Sequence, residues 1–245
     1  MTKEINNFHR FITIILHQNK ISMAQQDIIR LTEIFVKNTL QNAEGGHDWW
    51  HILRVWNNAK TIAQNESLSD DNSLYIIELG ALLHDIADAK FHNGDEEIGP
   101  RTARTFLESL AVENPIIEHV ENIIRHISFK GGNFDKAFHS PELAIVQDAD
   151  RLDAIGAIGV ARTFNYGGFK NREMYNPDIK PNLSLTKEAY KASDAPTINH
   201  FYEKLLLLKD RMNTETGKKM AEQRHVFMLT FLEQFYAEWA GDMID

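Results

Sequence analysis

The stretch IIELGALLHD, residues 76–85, indicates the fold most directly. Its first eight residues are mainly apolar and predict a helix that is buried in a core. They lead directly into an imidazole, His84, and a carboxylate, Asp85. A charged group is costly to bury unless it is paired or binds a metal. Because imidazole and carboxylate groups together suit a divalent ion, the pair predicts a metal-binding position at this helix.

A second histidine and a second aspartate are further candidates for binding this metal. His47 follows two glycines, whose backbone freedom helps to aim a ligand, and Asp150 ends the apolar stretch 143–149. Each residue also has a structural interpretation. His47 could cap a helix start, and His84 could be a hydrogen-bonded core histidine. Asp150 could form an ion pair with Arg151. The recurrence of these residue types favours a shared metal site.

Composition limits the class of protein. The chain has 245 residues, 43% of them hydrophobic, and no cysteine, so we expect one globular domain or one domain with a helical annex, and any metal must be held by His, Asp and Glu. No stretch reaches the roughly 20 continuous apolar residues of a membrane span, and the N-terminus lacks a signal-peptide pattern. We therefore expect a cytoplasmic location. The net charge of −9 argues against an extended nucleic-acid surface.

Nearly every segment shows apolar residues at helical spacing, and no run alternates with the period of a strand. The sequence thus predicts an all-α fold. The predicted helices cover residues 5–17, 25–40, 48–64, 71–89, 94–110, 115–127, 141–149, 152–164, 198–209 and 214–239. A long loop is expected over 166–183 because glycines and prolines interrupt it.

The order His, then His-Asp, then a distant Asp resembles the HD-domain phosphohydrolases, and further segments are similar to one bacterial branch of that superfamily. These segments are GHDWWH (46–51), HDIADAK (84–90), HISFKGG (126–132), VQDADRLDAIGAIGVARTF (146–164) and the region 197–224. The resemblance implies an HD-domain helical bundle with a C-terminal helical extension. It divides the chain into an N-terminal extension (1–22), a catalytic core (23–165) and a substrate-loop and C-terminal part (166–245).

The resemblance also implies one divalent ion held by His47, His84, Asp85 and Asp150. Manganese is the first choice, and mixed nitrogen and oxygen ligands also tolerate iron, cobalt, nickel, zinc or magnesium. Such an ion would lower the pKa of a bound water and polarise a phosphoryl group.

Further residues are expected to assist the reaction. Asp88 lies one turn from Asp85 and could orient or deprotonate the water, although it could also be a solvated charge at a helix end. His126 could protonate a leaving group, and Lys90 could neutralise phosphate oxygens. The candidates for binding the substrate are His51, Lys130, Arg151, Tyr166, Lys170, Tyr202 and Lys204. Asp148 and Asp153 are alternative carboxylate partners for Arg151.

Two other metal arrangements are weighed against the single ion. A second ion would need additional histidines, for which His92 and His126 are the candidates. The run HDWWH, residues 47–51, resembles a zinc-protease HExxH helix with Asp48 in the position of the base. No third ligand follows at the spacing of a protease, so His51 is better explained as a partner of a metal ligand or as a pocket residue. Because His92 and His126 are the only plausible additional histidines, we prefer a single ion.

The expected function is hydrolysis of a small phosphorylated metabolite by a metal-activated water. A nucleoside or deoxynucleoside triphosphate that releases pyrophosphate is the first choice of substrate. The alternatives are a nucleotide phosphatase or phosphodiesterase, including one for cyclic nucleotides or guanosine tetraphosphate, and a non-catalytic metal-binding nucleotide sensor. The partners would be small molecules, with neither nucleic acid nor membrane. The apolar face of the predicted helix 5–17 could support a homodimer.

Overall fold

The computed structural model describes residues 23–41, 48–68, 70–87, 95–127, 138–183 and 194–242. These residues form helices and no strand, which confirms the predicted all-α class. The α-helices are α1 (Gln25–Thr39), α2 (Trp49–Asn65), α3 (Asp71–Leu83), α4 (Ile98–Ser109), α5 (Asn114–His126), α6 (Pro141–Asp153), α7 (Gly156–Phe169), α8 (Asn199–Glu203) and α9 (Glu215–Ala240). Two 3₁₀ turns, Leu205–Leu207 and Lys209–Arg211, lie between α8 and α9.

The described chain divides into two compact units, of which the first ends at Val146 and the second begins at Gln147. The division of the sequence at 22/23 and 165/166 stays a prediction. In the described residues, no helix has both the length and the apolar character that crossing a membrane requires.

Helix α3 lies at the centre of the first unit. It packs on α1, α2 and α5, and every residue from Ile77 to Leu83 is buried. A helix that is apolar around its whole circumference must be covered on all sides. Gly80 allows α5 to approach closely, because a Cβ atom there would lie 3.1 Å from two carbon atoms of Ile123. The prediction of a buried core helix is therefore confirmed.

The end of α3 differs from the prediction. The expected helix over 71–89 ends at Leu83, and residues 84–87 form turns and bends. The cause is local hydrogen bonding. The Ala81 carbonyl accepts from the ring of His84 at 2.8 Å, and the Ile86 N–H bonds to the Leu83 carbonyl in a tighter i→i+3 turn. His84 and Asp85 consequently follow the helix, in a turn.

The second unit is built on α7 and the 26-residue helix α9, which pack together. Aromatic side chains fill their contact: the Phe164 ring lies 5.9 Å from the Phe231 ring and 6.4 Å from the Phe235 ring. Thr214 caps the start of α9, since its side chain accepts from the Gly217 N–H.

Three predicted boundaries in the second unit are wrong. The break between the helices predicted over 141–149 and 152–164 lies at 154–155, after α6 has continued through Asp153. The helix α7 extends to Phe169, so Tyr166 is helical. The single helix predicted over 198–209 is replaced by α8 and the two 3₁₀ turns. Leu205 and Leu208 are both buried, and their spacing of three residues matches a 3₁₀ turn.

Candidate metal centre

Three side chains of the first unit bring their metal-binding atoms together. His51 Nε2 lies 3.3 Å from His84 Nε2, and Asp85 Oδ2 lies 3.6 Å from each of these nitrogens. Among the residues that the structure describes, these three form a group whose chemistry and spacing could hold a metal ion. We refer to them as the His–His–Asp cluster.

His51 reaches the cluster from the first turn of α2. The Asp48 side chain caps this helix by accepting from the His51 N–H at 2.9 Å, which satisfies one of the otherwise unpaired amides at a helix start. The imidazole of His51 is buried. The cap therefore fixes the backbone from which the buried imidazole of His51 projects.

The ring orientation of His84 is fixed by its other nitrogen. Nδ1 lies 2.8 Å from the Ala81 carbonyl oxygen, and because a carbonyl can only accept, Nδ1 carries the proton. The lone pair of His84 is then on Nε2, which faces His51 and Asp85. Histidines that bind metals commonly donate their second ring N–H to a carbonyl or carboxylate in this way.

The dimensions of the cluster suit a divalent ion. A triangle with sides of 3.3, 3.6 and 3.6 Å has a point about 2.0 Å from all three corners. Zinc lies at about 2.0–2.2 Å from imidazole nitrogen and carboxylate oxygen, and magnesium at about 2.0–2.1 Å from oxygen. The side chain of Asp85 is 25% exposed, while both histidines are nearly inaccessible. The cluster thus has two enclosed nitrogen donors and one oxygen donor that solvent can reach.

Sequence reasoning made His51 either a partner of a metal ligand or a pocket residue that contacts substrate, and the structure brings its Nε2 to His84 and Asp85. The available signal was the acidic residue three positions earlier, which is typical of a helix cap and sets His51 in the first turn. The same cap bears on the protease alternative. Helix α2 begins at Trp49, so Asp48 lies at its cap rather than on the helical face that a catalytic base would need.

Several predicted site residues fall outside the described part of the chain. They are His47, Asp88, Lys90, His92 and Lys130. The roles assigned to them stay predictions.

Other predicted residues have described positions. His126 ends α5 and donates from Nδ1 to the Asn122 carbonyl at 2.8 Å. Asp150 lies partly exposed on α6, in the second unit. Its role as a ligand and the acid–base role of His126 stay predictions.

Arg151 is paired with Asp148, one of the two carboxylates that the sequence suggested as its alternative partners. Its Nη1 lies 3.3 Å from Asp148 Oδ1 and donates to the Arg211 carbonyl at 2.7 Å. Burial lowers the pKa of Arg151, although the nearby Asp148 and Asp150 carboxylates oppose this shift. The contacts account for its position, and a role in substrate binding stays a prediction.

Cations and exposed aromatic rings meet at the end of α7. The rings of Tyr166 and Phe169 are 42% and 67% exposed. The Lys170 ammonium lies 5.6 Å and 5.1 Å from their centroids, and the Arg172 guanidinium lies 5.7 Å from that of Tyr166. These distances are within the range of cation–π attraction.

His200 lies close to two cations, Arg172 and Lys204. Burial lowers its pKa to about 3, and both cations contribute in the same direction, so the ring is neutral near pH 7. Lys204 is exposed in the turn after α8. The substrate roles of Tyr166, Lys170, Tyr202 and Lys204 stay predictions.

The comparisons with known proteins agree with this architecture. The fold is all-helical, and its central helix leads into His84 and Asp85, which meet His51 of α2 in a group that could hold a metal ion. The HD domain family matches residues 49–155. The chain belongs to the HD-domain superfamily. The matched range contains His51, His84, Asp85 and Asp150, and it begins two residues after His47.

Individual relatives align over most of their length. The chain is 36% identical over 215 residues to YpgQ from Bacillus subtilis, which covers 84% of this chain and 91% of YpgQ. The crystal structure of an HD-superfamily hydrolase from Bacillus thuringiensis matches with a TM-score of 0.70 and 44% identity, over 89% of this chain and 99% of that one. The crystal structure of YpgQ in complex with ADP matches with a TM-score of 0.68 and 32% identity, over 88% of this chain and 97% of that one.

Proposed function

We propose that this protein is a metal-dependent phosphohydrolase that cleaves nucleoside or deoxynucleoside triphosphates and releases pyrophosphate. The observation that carries the proposal is the approach of His51 Nε2, His84 Nε2 and Asp85 Oδ2 to within 3.6 Å of one another. Similarity to an HD-superfamily hydrolase supports hydrolysis, and the ADP complex of the relative YpgQ supports a nucleotide as the substrate class.

The proposed ligand set uses His51 as its first imidazole, where the sequence suggested His47. His51 and His84 would supply enclosed nitrogen donors, and Asp85 would supply the oxygen donor on the side that solvent reaches. When bound, a divalent ion at these atoms supplies Lewis-acid chemistry toward a phosphate group and a water molecule. Manganese is the proposed ion, and the donor set also suits iron, cobalt, nickel and zinc.

Neighbouring groups of the chain hold the side chains of His84 and His51 in fixed orientations. The Ala81 carbonyl holds the His84 ring in one tautomer, and the Asp48 cap holds the turn that carries His51. Ligands that are already in place need not be reorganised when substrate binds, which lowers the barrier to the reaction. The partly exposed Asp85 leaves an approach for a phosphate oxygen and for the attacking water.

Product analysis tests the proposal. The purified protein is loaded with Mn²⁺ and incubated with nucleoside and deoxynucleoside mono-, di- and triphosphates. We expect pyrophosphate and a nucleoside monophosphate from triphosphates. Orthophosphate as the sole inorganic product would contradict the pyrophosphohydrolase and support a phosphatase. Stoichiometric metal without turnover of any substrate would contradict hydrolysis and support a nucleotide sensor.

Asp88→Asn separates metal binding from proton transfer. The amide cannot accept a proton from the attacking water, so we expect kcat to fall at least about tenfold while the metal content stays the same. Metal content is measured by inductively coupled plasma mass spectrometry. Full activity of Asp88→Asn would remove this residue from the mechanism.

A further inference from the structure

The second unit contains a cavity of about 280 Å³ whose walls include three tyrosines. It lies between the segment 175–181, the short helix α8 and the C-terminal half of α9. We call it the tyrosine cavity. Its lining residues are Tyr175, Asn176, Pro177, Ile179, Lys180, Pro181, Asn199, Tyr202 and Tyr236. A mainly apolar and aromatic lining with a few polar groups is typical of small-molecule sites.

The aromatic walls of the cavity are held by contacts with one another and with Trp239. The Tyr175 ring lies edge-on to the rings of Tyr236 and Trp239, with centroids 5.3 Å and 5.1 Å away. The hydroxyl groups of Tyr202 and Tyr236 are hydrogen-bonded, and burial raises the pKa of Tyr236. The hydrogen bond fixes the two phenol groups relative to each other, so a ligand would meet a largely preformed surface.

The loop that closes the cavity is tied to α8. The Asn199 side chain donates to the Ile179 carbonyl at 3.1 Å, and the Asn182 N–H donates to Glu203 Oε1 at 3.0 Å. This segment has no regular secondary structure, yet its backbone groups bond to a neighbouring element. These hydrogen bonds hold the loop against α8 and so define the shape of the cavity.

Lys180 gives the rim of the cavity a positive charge. Its side chain is exposed, and in the described part of the chain it forms neither an ion pair nor a cation–π contact. An ammonium group beside an aromatic cavity suits a ligand that combines a planar ring with an anionic group.

We propose that the tyrosine cavity binds the nucleobase of a nucleotide and that Lys180 contacts its phosphate. The volume of about 280 Å³ lies just below the roughly 300–1,000 Å³ that is usual for ligand pockets, which suits a base with its sugar rather than an entire nucleotide. Aromatic walls stack on every base through its π-face, so the site would bind nucleotides with little discrimination among bases. The choice of a nucleotide as ligand class rests on the proposed function.

Isothermal titration calorimetry with adenosine and with AMP tests the proposal. The full-length protein is used with a chelator present, so that no metal can bind the phosphate. Ile179→Trp places a larger side chain at the cavity from a position that is 44% exposed and tolerates it. We expect this change to weaken both ligands at least about tenfold, within the range for loss of base stacking. Phe227→Trp, on an exposed face of α9, is the matched control.

Lys180→Ala tests the phosphate contact separately. We expect AMP to bind about fivefold more weakly while adenosine is unaffected, because a solvent-exposed charge pair contributes roughly this factor. Lys219→Ala removes a similarly exposed lysine from α9 and serves as the control.

The outcomes separate this proposal from the proposed function. Wild-type protein that binds neither ligand, or an Ile179→Trp variant with unchanged affinity, would overturn the nucleobase site. Equal effects of Lys180→Ala on AMP and adenosine would overturn the phosphate contact. Binding that follows the expected pattern without any hydrolysis by the Mn²⁺-loaded protein would support the cavity and overturn the proposed function.

Discussion

Two carboxylates, Asp148 in the second unit and Asp85 in the first, differ in the groups that surround them. Asp148 of the second unit is fully buried and accepts hydrogen bonds from several neighbouring donors. Asp85 of the first unit is partly exposed and faces two imidazole nitrogens. A carboxylate whose oxygens accept hydrogen bonds from the protein stabilises the fold. A carboxylate whose oxygen lies at the same distance from a common point as two imidazole nitrogens has the geometry of a metal site.

The surroundings of Asp148 show how the protein supplies hydrogen-bond donors to a buried carboxylate. Its oxygens accept from the backbone N–H of Asn213 at 2.9 Å and 3.0 Å, from the backbone N–H of Thr214 at 2.8 Å and from the Thr214 hydroxyl at 2.8 Å. Gly217 is required beside it, because a Cβ atom there would lie 2.4 Å from Asp148 Oδ2. Asp148 thus fastens the start of α9 to α6.

The largest expected effect comes from removing a ligand of the His–His–Asp cluster. His84→Ala and Asp85→Ala should each abolish metal binding and hydrolysis together, with a fall in kcat/KM of at least about a thousandfold, since the remaining donors cannot hold the ion. Metal content and triphosphate hydrolysis are measured on the same preparation. His139→Ala, which removes an exposed histidine, is the control. A His84→Ala protein that retains metal would contradict the proposed ligand set.

Replacing Asp148 tests whether this carboxylate stabilises the fold without affecting metal binding. Asp148→Ala leaves the donors at Asn213 and Thr214 without their acceptor, so we expect the free energy of unfolding to fall by about 3–5 kcal/mol. Urea denaturation followed by circular dichroism measures this change. The metal content of the folded protein should stay the same. Asp178→Ala, at an exposed position of the same unit, controls for loss of charge, and an equal loss of stability there would contradict the interpretation.

Local features of the sequence predict most of the helices. The helices expected over 25–40, 48–64 and 214–239 agree with α1, α2 and α9 to within about a residue at each end. They begin beside Asp48 or Thr214, which cap them, or carry a regular apolar stripe. The burial of α3 also follows from composition, because a helix without a polar face must lie inside.

Features that depend on distant contacts were not predictable in this way. The meeting of His51 with His84 requires α2 and α3 to pack at a particular register, and periodicity specifies only which faces are apolar. The partners of Asp148 lie 65 and 66 positions away in the chain. The end of α3 coincides with two local hydrogen bonds, from the His84 ring to the Ala81 carbonyl and from the Ile86 N–H to the Leu83 carbonyl, which residue preferences do not encode.

A pH titration of stability tests His200, the buried histidine of the second unit. The pKa of His200 is lowered to about 3 by burial and by the cations Lys204 and Arg172, whereas an unfolded histidine has its ordinary pKa of about 6.5. The unfolded state therefore binds the proton more readily, and stability is lost as the pH falls below about 6.5. We expect about 2 kcal/mol of this loss between pH 7.5 and pH 5 to disappear in His200→Gln. Urea denaturation at both pH values measures it, with His139→Gln as control. An identical pH dependence in wild type and His200→Gln would contradict the shift.

The smallest expected effect concerns the cap that supports His51. Asp48→Ala removes the acceptor of the His51 N–H, and the loss of a helix cap costs about 1 kcal/mol of stability. Asparagine caps a helix almost as well as aspartate, so Asp48→Asn should restore the stability. If the cap positions His51, metal affinity measured by calorimetry should fall a few-fold in Asp48→Ala and recover in Asp48→Asn. Equal weakening by both substitutions would mean that the negative charge of Asp48, and not its hydrogen bond, acts on the metal. Asp48 would then influence metal affinity through its charge and not by positioning His51.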